Sequence, residues 1–273
     1  MQRPRVQALR GEYQVRAVFN SEQLLSGLQV APARPSIFLA RLSFLSPRLF
    51  DLLRPLALCL IGRRVPAGTT ELGPMLAGGT FVVAQGGGTS AINYHVAHQY
   101  MRSAADFLGV GPGGRHARGL MPADPACYAI FGAQVLAPLN GVVTLAQDGR
   151  PDLRVPDTDT LRPAGNHVQP PCTLPDSREV HVLLGHLQEG SVQVQVGQGI
   201  HAGQILGRVG DSGNTTEPHL HLGVNRGVTP GQPLSGEGVP FTVQGRFPVR
   251  GMLFGQEAQS PGKLSPLRSP PDP

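Results

Sequence analysis

The stretch VGQGIHAGQILGRVGDSGN, residues 196–214, decides the fold because it places two short apolar strands between tight glycine turns. A second stretch, FGAQVLAPLNGVVTLAQDG at residues 131–149, repeats the order of strand, turn, strand and polar glycine turn. Two such hairpins bury their apolar faces when they fold over one another. The sequence therefore predicts an all-β fold, a compact antiparallel β-sandwich of paired hairpins.

The composition of the 273-residue chain supports this prediction. Glycine (36 residues) and proline (27 residues) are abundant, which favours short strands joined by tight loops over long helices. The net charge of +5 reflects arginines that are dispersed along the chain, since Lys263 is the only lysine. Because these arginines neither cluster nor alternate with aromatic residues, we expect no nucleic-acid binding.

The chain divides into three regions by composition. Residues 1–74 are rich in arginine and leucine without a clean period, and segment 36–61 is compatible with one or two amphipathic helices broken at its two prolines. Residues 75–255 carry the glycine-punctuated strands and form the predicted β-rich domain. Residues 256–273 are rich in proline and serine and poor in large apolar residues, so we expect a disordered tail.

Further segments of the β-rich domain carry their own predictions. Residues 79–88 predict a strand followed by a glycine loop, and residues 98–110 predict an extended segment. Residues 148–179 are so rich in proline that we expect a loop without regular structure. Residues 180–196 alternate apolar and polar positions, which predicts half-buried strands on both sides of a turn at Gly190.

Two of the nine histidines stand in PHLHLG, residues 218–223, where a strand would place them on one face. At positions i and i+2 their Cβ atoms lie roughly 6.5 Å apart, so one ring can bind a small ion while the other reaches what the ion holds. Two solvated histidines on an edge strand are the alternative. A metal site needs three or four ligands, so partners must come from elsewhere in the chain.

The segment around this pair resembles the LytM/lysostaphin-type zinc metallopeptidases, which are endopeptidases of bacterial peptidoglycan. Residues 185–224 read GHLQEGSVQVQVGQGIHAGQILGRVGDSGNTTEPHLHLGV and follow the family pattern from a His-Leu pair through spaced glycines to P-H-L-H. Upstream, residues 135–143 (VLAPLNGVV) resemble its hairpin, and residues 86–106 resemble its first metal motif. The resemblance covers roughly residues 75–225 and implies the duplicated hybrid motif, a barrel-sandwich fold.

The resemblance also implies roles for individual residues. His221 takes the place of a zinc ligand, and Asp106 takes the place of the ligand aspartate. The commoner motif has a histidine four residues before the aspartate, where this chain has Arg102, but an Asn-x-His variant fits His95 because 106 − 95 = 11. The remaining assignments are His98 as the fallback ligand, Asn93 and Gln99 as groups that orient a ligand, and His186 and His219 as the catalytic pair.

Two imidazoles and one carboxylate suit Zn²⁺, which in catalytic sites keeps three protein ligands and one open position. We expect one Zn²⁺ per chain, with His186 and His219 moving protons at the scissile bond. The resemblance then implies an endopeptidase that cleaves peptidoglycan cross-links or stem peptides.

Two other functions compete with this one. A non-hydrolytic domain that binds peptidoglycan or activates another cell-wall hydrolase is the alternative, against which the presence of the histidines and of Asp106 argues. A lipoyl- or biotinyl-carrier module shares the hairpin architecture but needs a lysine to carry its cofactor. Residues 131–214 contain no lysine, which removes that option.

The N-terminal residues do not match a targeting segment. The arginines at positions 3, 5 and 10 precede a polar stretch where a signal peptide is apolar, so we expect no signal peptide in the chain as numbered. The best apolar run, PLALCLIG at residues 55–62, is too short to cross a bilayer, so we expect no transmembrane helix. The resemblance nevertheless implies an extracytoplasmic protein, because peptidoglycan lies outside the cytoplasm.

Overall fold

Short strands dominate the computed structural model, which describes strand backbone at residues 13–19 and 25–32, and backbone with side chains at residues 56–120, 122–174 and 178–255. Four 3-10 helices accompany the strands: Tyr94–Ala97, Gln99–Met101, Pro112–Gly114 and Pro125–Cys127. The strands are β1 Tyr13–Phe19, β2 Leu25–Pro32, β3 Thr70–Leu72, β4 Thr80–Gln85, β5 Ala105–Val110, β6 Gln134–Leu136, β7 Gly141–Val142, β8 Leu145–Gln147, β9 Asn166–Gln169, β10 Pro171–Thr173, β11 Glu179–Leu187, β12 Gly199–Ile200, β13 Ile205–Arg208, β14 Leu220–Arg226, β15 Glu237–Gly238, β16 Phe241–Val243 and β17 Leu253–Gly255.

A nine-stranded antiparallel sheet forms the centre of the fold. Its strands lie in the order β17, β4, β5, β14, β11, β9 and β8, with β10 paired to β11 and β15 paired to β14. The middle strands bury Phe107, Leu184, Leu220 and Leu222 completely in one apolar core. This burial fixes the register, because a slip by one residue would turn the core side chains to the other face.

The two predicted hairpins pair with each other, strand by strand. β6 pairs with β13 and β7 pairs with β12, both antiparallel. Val135, Ile200 and Leu206 of these strands are buried in the core. The prediction of an all-β, antiparallel fold is confirmed, although the two strands within each segment pair with the other segment and not with each other. Among the described strands, β3 and β16 depart from it because they run parallel.

Of the two segments upstream of the site, the first follows its prediction and the second follows it in part. Residues 79–88 contain β4 and then a glycine loop. Residues 98–110 begin with a 3-10 turn and continue as β5, whose first three residues are buried. The extended segment therefore enters the centre of the sheet.

Regular structure occupies part of segment 148–179, where we expected none. β9 and β10 lie end to end along β11 and are separated by Pro170. Proline has no N–H to donate, so the strand breaks there, yet the Pro170 carbonyl accepts a hydrogen bond from the Val182 N–H at 3.0 Å. The prediction was wrong because a strand in an antiparallel ladder donates to a given neighbour only at alternate residues, which leaves positions for proline.

The segment 180–196 is a strand on one side of its turn only. β11 includes the predicted alternation, and Gly190 lies in the turn with φ 68°. Beyond the turn, residues 191–195 form no strand. The Val192 N–H is held by the Asp148 carboxylate at 3.2 Å instead of by a neighbouring strand. The second predicted strand was wrong: the Gln193 N–H donates to the Leu206 carbonyl of β13 at 2.9 Å, but the Val192 N–H goes to a side chain and residues 191–195 form no strand.

The N-terminal region contains a hairpin that the sequence analysis did not predict, in which β1 pairs with β2. Of the predicted helical segment 36–61, residues 56–61 are helical, and residues 36–55 lie outside the described residues. The predicted tail, residues 256–273, also lies outside them. No helix among the described residues is long and apolar enough to cross a membrane.

The helical residues 56–62 pack on the β-rich domain. Cys59 contacts a small apolar cluster of Ile92, Phe247 and Val249. The Thr89 hydroxyl donates a hydrogen bond to the Leu58 carbonyl at 2.8 Å. These contacts hold the segment that precedes β3 against the loop that leads to β5.

The middle of the sheet sets the register of the functional region. β14 lies between β5 and β11, and its His221 stands opposite Asp106 on β5 and Gly185 on β11. A Cβ added at Gly185 would lie 3.7 Å from the His221 Cβ, in ordinary contact with it. The sheet therefore brings together residues that are far apart in the sequence.

Candidate metal centre

Two neighbouring strands place Asp106 and His221 directly opposite each other. His221 lies between Leu220 and Leu222, whose side chains enter the core, so its ring projects from the other face of β14. The His221 Nδ1 is 2.9 Å from Asp106 Oδ1. Both residues are buried, with exposed fractions of 5% and 4%. The carboxylate and the imidazole therefore share a pocket that water scarcely reaches.

A 3-10 turn brings His95 to the same carboxylate. Asn93 caps this turn, and its side-chain oxygen lies 2.9 Å from His95 Nδ1. The Asn93 amide nitrogen donates to the carbonyls of Gly87 and Ala104, each at 3.0 Å, so its oxygen is the acceptor toward His95. His95 Nδ1 therefore carries the hydrogen. The free Nε2 lies 3.5 Å from Asp106 Oδ2.

These three side chains have the spacing of ligands around one ion. The candidate ligand atoms of His95, Asp106 and His221 all lie within 4.8 Å of one another, and the three residues are buried. Two ligands at ~2.0–2.1 Å from a tetrahedral zinc ion lie about 3.3 Å apart, close to the 3.5 Å between His95 Nε2 and Asp106 Oδ2. Imidazole nitrogen and carboxylate oxygen are ligands of zinc, so the residues fit this ion.

His219 approaches the cluster from the residue before β14. Its Nε2 is 3.6 Å from Asp106 Oδ1, and its Nδ1 is 2.8 Å from the Glu217 carbonyl oxygen. Because a carbonyl oxygen only accepts, Nδ1 carries the hydrogen and Nε2 is the acceptor. The buried Nε2 atoms of His219 and His221 have no hydrogen-bond partner among the described residues.

His186 lies near the end of β11 in a conformation that few non-glycine residues adopt. Its φ is 60°, in the left-handed region, at an irregularity in the pairing of β11 with β9. Its N–H donates to the Ala164 carbonyl at 3.1 Å, and its Nδ1 lies 2.9 Å from the Ser212 carbonyl oxygen. The ring centroid is 4.6 Å from that of His219 and 5.8 Å from that of His221. The backbone irregularity thus turns this ring toward the cluster.

The environment sets the charges of these groups. Burial acts to raise the pKa of Asp106, but His219, His95 and His221 together outweigh it and hold that pKa well below its usual range. Burial lowers the pKa of His95 to about 4, against the opposing effect of Asp106. Burial, with His219 and His221 nearby, lowers the pKa of His186 well below its usual range. At neutral pH Asp106 is therefore ionised while His95 and His186 are neutral, which are the forms that bind metals or accept protons.

A known family model matches part of the C-terminal half of the chain. Residues 126–233 match the sequence model described as Peptidase family M23. We call these residues the M23 region. The matched residues include His186, His219 and His221, whereas His95 and Asp106 precede them. The fold therefore joins the M23 region to an upstream segment in one cluster.

Comparison with solved structures gives similar proteins of low identity. The chain is similar to the catalytic domain of the antimicrobial peptidase lysostaphin from Staphylococcus simulans, at 21% identity over 46% of this chain and 68% of that one, with a TM-score of 0.29. A putative peptidase M23 from Pseudomonas aeruginosa is 16% identical over 80% of this chain and 69% of that one, with a TM-score of 0.32. A zinc containing peptidase from Vibrio cholerae is 19% identical over 44% of this chain and 46% of that one, with a TM-score of 0.26. No curated protein sequence matches the chain significantly.

The structure separates the predicted site residues into two groups. Asn93, with 1% exposure, contacts His95 as described above, whereas His98 and Gln99 are exposed. The His98 ring lies against Tyr100, with centroids 5.9 Å apart. The fallback ligand and Gln99 therefore stand outside the cluster. The turn that directs His95 inward directs the residues after it toward solvent.

Tyr94 is a neighbour of the cluster that sequence reasoning missed. Its hydroxyl donates to Asp106 Oδ2 at 3.3 Å, and its ring centroid lies 4.1 Å from that of His95. Burial, followed by the charge of Asp106, raises the pKa of the Tyr94 hydroxyl. Its position next to His95 was the available signal. The left-handed backbone of His186 had no signal in the sequence, because no glycine or asparagine marks it.

Proposed function

We propose that this chain is a zinc-dependent endopeptidase that hydrolyses peptide bonds in the cross-links or stem peptides of bacterial peptidoglycan. The convergence of His95, Asp106 and His221 in one buried cluster is the observation that carries the proposal. The M23 region and the resemblance of residues 185–224 to cell-wall endopeptidases support the reaction and the substrate class. Such a substrate would place the protein outside the cytoplasm.

The proposed metal ligands are His95 through Nε2, Asp106 through its carboxylate, and His221 through Nδ1. When bound, one zinc ion per chain would polarise the scissile carbonyl and lower the pKa of a water molecule. Two of these ligands, His221 and Asp106, hydrogen-bond directly to each other at 2.9 Å. In the proposed site residues 75–255 supply every ligand and both catalytic histidines.

His219 has the geometry of a proton acceptor. The Glu217 carbonyl fixes the hydrogen on Nδ1, so the Nε2 lone pair faces the cluster. In the proposed reaction this nitrogen takes the proton of the attacking water and later returns it to the leaving amine.

His186 is held in the same tautomer by the Ser212 carbonyl, with Nε2 on the side of the ring away from that carbonyl. Its low pKa keeps the ring neutral until a proton is delivered. With Nδ1–H directed to the Ser212 carbonyl, the neutral ring offers its Nε2 lone pair as a second proton acceptor beside His219.

Digestion of isolated peptidoglycan by the full-length chain tests the proposal. We expect the zinc-loaded protein to release soluble peptide-bearing fragments, which mass spectrometry identifies by the bond cut. A chelator should stop the release, and added zinc should restore it. Binding to peptidoglycan without release would instead support the non-hydrolytic alternative.

His221→Ala gives the matched test of the ligand assignment. We expect this variant to lose both the bound zinc, measured by elemental analysis, and the fragment release. His201→Ala is the control, because His201 is exposed in a turn between β12 and β13. A His221→Ala protein with full zinc content would refute the assignment.

A further inference from the structure

The loop between β13 and β14 encloses a row of buried polar groups that ends at His219. Asp211 and Thr215 have exposed fractions of 0% and 2%. Thr215 Oγ1 lies 3.1 Å from Asp211 Oδ1 and 3.0 Å from His219 Nδ1. A carboxyl group, a hydroxyl group and an imidazole therefore form one continuous row, and the proposed chemistry assigns no role to its first two members.

The hydrogen-bonding capacity of the Thr215 hydroxyl is fully used. It lies 2.6 Å from the Glu217 carbonyl oxygen, and it accepts from the Glu217 N–H at 3.3 Å. A hydroxyl has one hydrogen, which Asp211 Oδ1 and the Glu217 carbonyl share here, and two lone pairs, which face the Glu217 N–H and His219 Nδ1. Protein groups therefore occupy every hydrogen-bonding position of this hydroxyl.

Burial of the Asp211 carboxyl group costs free energy that its contacts recover only in part. Its Oδ2 is buried without a hydrogen-bond partner among the described residues. Its other oxygen makes the contact with Thr215. A buried polar atom left without a partner in a native fold calls for an explanation, and a role in the adjacent site is one such explanation.

We propose that Thr215 and Asp211 are positioning residues that hold the His219 ring in its Nδ1–H tautomer with Nε2 aimed at the metal centre. Thr215 supplies a second acceptor for Nδ1–H beside the Glu217 carbonyl, and Asp211 holds the Thr215 hydroxyl in place. This inference rests on the proposed function, because it assigns His219 a use for its free Nε2. It adds two residues on which the rate of that reaction depends.

Kinetics of Thr215→Val and Thr215→Ser in the full-length, zinc-loaded protein provide the first test. Valine has the shape of threonine without the hydroxyl, whereas serine keeps the hydroxyl. We expect Thr215→Val to lower kcat roughly tenfold to a hundredfold with KM and zinc content unchanged, and Thr215→Ser to restore most of the lost kcat. Equal losses in both variants, an unchanged kcat in Thr215→Val, or loss of zinc from it would overturn the proposal.

The tautomer of His219 is a readout that does not depend on hydrolysis. The full-length chain with ¹⁵N-labelled histidines is observed by NMR without added metal, and the His219 signals are assigned with a His219→Gln variant. We expect wild type and Thr215→Ser to show one Nδ1–H tautomer, and Thr215→Val to show averaged shifts of both tautomers. Identical ring shifts in wild type and Thr215→Val would overturn the proposal. If no variant cleaves peptidoglycan, the proposed function fails while this measurement still decides the inference.

A double-mutant cycle tests the part played by Asp211. If Asp211 acts through the hydroxyl, Asp211→Leu lowers kcat in wild type but adds nothing in the Thr215→Val background. Additive losses would show that Asp211 acts by another route. Asp211→Asn keeps an oxygen at the Oδ1 position and should retain more of kcat than Asp211→Leu, which separates loss of the contact from a change in packing.

Discussion

The two halves of the candidate site are held in place by different means. In the ligand half (His95, Asp106 and His221), both histidines contact the carboxylate, and the Tyr94 hydroxyl adds a third contact to it. In the proton half (His186 and His219), each ring is fixed by a backbone carbonyl oxygen 2.8–2.9 Å from its Nδ1. The first half is an assembly of side chains, and the second is attached to the main chain.

This difference indicates how each half depends on an ion. The proton half owes its orientation to backbone carbonyl groups, joined at His219 by the Thr215 hydroxyl, and none of these groups is a proposed metal ligand. In the ligand half, the proposed ligands His221 and Asp106 hydrogen-bond directly to each other. We therefore expect changes in the ligand half to alter metal content and changes in the proton half to alter the rate with metal content constant.

The largest expected effect is that of His95→Ala, measured against His98→Ala. Removal of one of three proposed ligands should lower zinc affinity by more than about a hundredfold, beyond the range for residues that only orient a ligand. Hydrolysis should then be undetectable at limiting zinc. His98 is exposed, and His98→Ala should retain zinc and activity. Zinc affinity is measured by competition with a chromogenic chelator.

The reverse outcome would contradict the assignment of His95 to the ligand half. If His98→Ala loses zinc while His95→Ala keeps it, the turn that carries both residues must rearrange in solution. His98 would then take the place of His95 beside Asp106.

The next effect is that of His219→Ala, which should leave one zinc ion per chain. Loss of a general base costs typically 10²–10⁴-fold in rate, and we expect kcat to fall within this range. His181→Ala is the control, because this ring pairs with Glu179 Oε1 at 3.4 Å on the same strand as His186. Elemental analysis and single-turnover kinetics measure the two properties separately. Loss of zinc from His219→Ala would contradict the claim that the proton half affects the rate and not the metal content.

A smaller effect is expected for Asn93→Ala, which leaves all three proposed ligands in place. Without the Asn93 oxygen, His95 Nδ1–H loses its acceptor and the ring loses its fixed tautomer. Partners of this kind typically contribute 10–100-fold to metal affinity. We expect zinc affinity to fall within this range, with kcat near wild type at saturating zinc. Gln99→Ala, at an exposed position, should change neither quantity; an effect equal to that of Asn93→Ala would contradict the assignment.

Much of the fold was predictable because its signals are local. The hairpins at 131–149 and 196–214 carry their own turn residues, and both the strands and their mutual pairing follow the prediction. The failures arise where the partner of a strand, rather than its own residues, decides the outcome. Segment 166–173 becomes strand because β11 offers it backbone partners, whereas residues 191–195 form no strand and Asp148 takes the Val192 N–H.

The candidate site divides in the same way. Spacing in the sequence led to His95 and Asp106, and the sheet register places them in one cluster with His221. Thr215, Asp211 and the left-handed backbone of His186 were missed, because their importance lies in contacts with atoms that are distant in the sequence or in backbone geometry. Residue type predicts which side chains can bind a metal or move a proton, and the fold determines which neighbouring groups hold those side chains in position.

The smallest effect concerns stability and the scaffold of the proton half. Burial, with Asp152 and Glu217 nearby and against the hydrogen bond from Thr215, raises the pKa of Asp211 from 3.8 to about 7. Between these values the folded chain keeps a proton that the unfolded chain has released. The contribution of Asp211 to the free energy of unfolding therefore falls as pH rises from about 4 to about 7, and it is constant above the folded pKa.

Asp211→Asn removes this dependence, since an amide does not titrate. The stability of the variant relative to wild type should therefore increase between pH 4 and pH 7, by about 1–3 kcal/mol after relaxation around the charge, since one pKa unit corresponds to about 1.4 kcal/mol. Urea unfolding of both proteins at several pH values gives the difference, in which the contributions of the histidines cancel. The value at pH 4, where Asp211 is protonated in the folded state, serves as the internal control. A difference independent of pH would mean that the buried carboxyl group is ionised throughout, and that the row ending at His219 carries a charge in the folded protein.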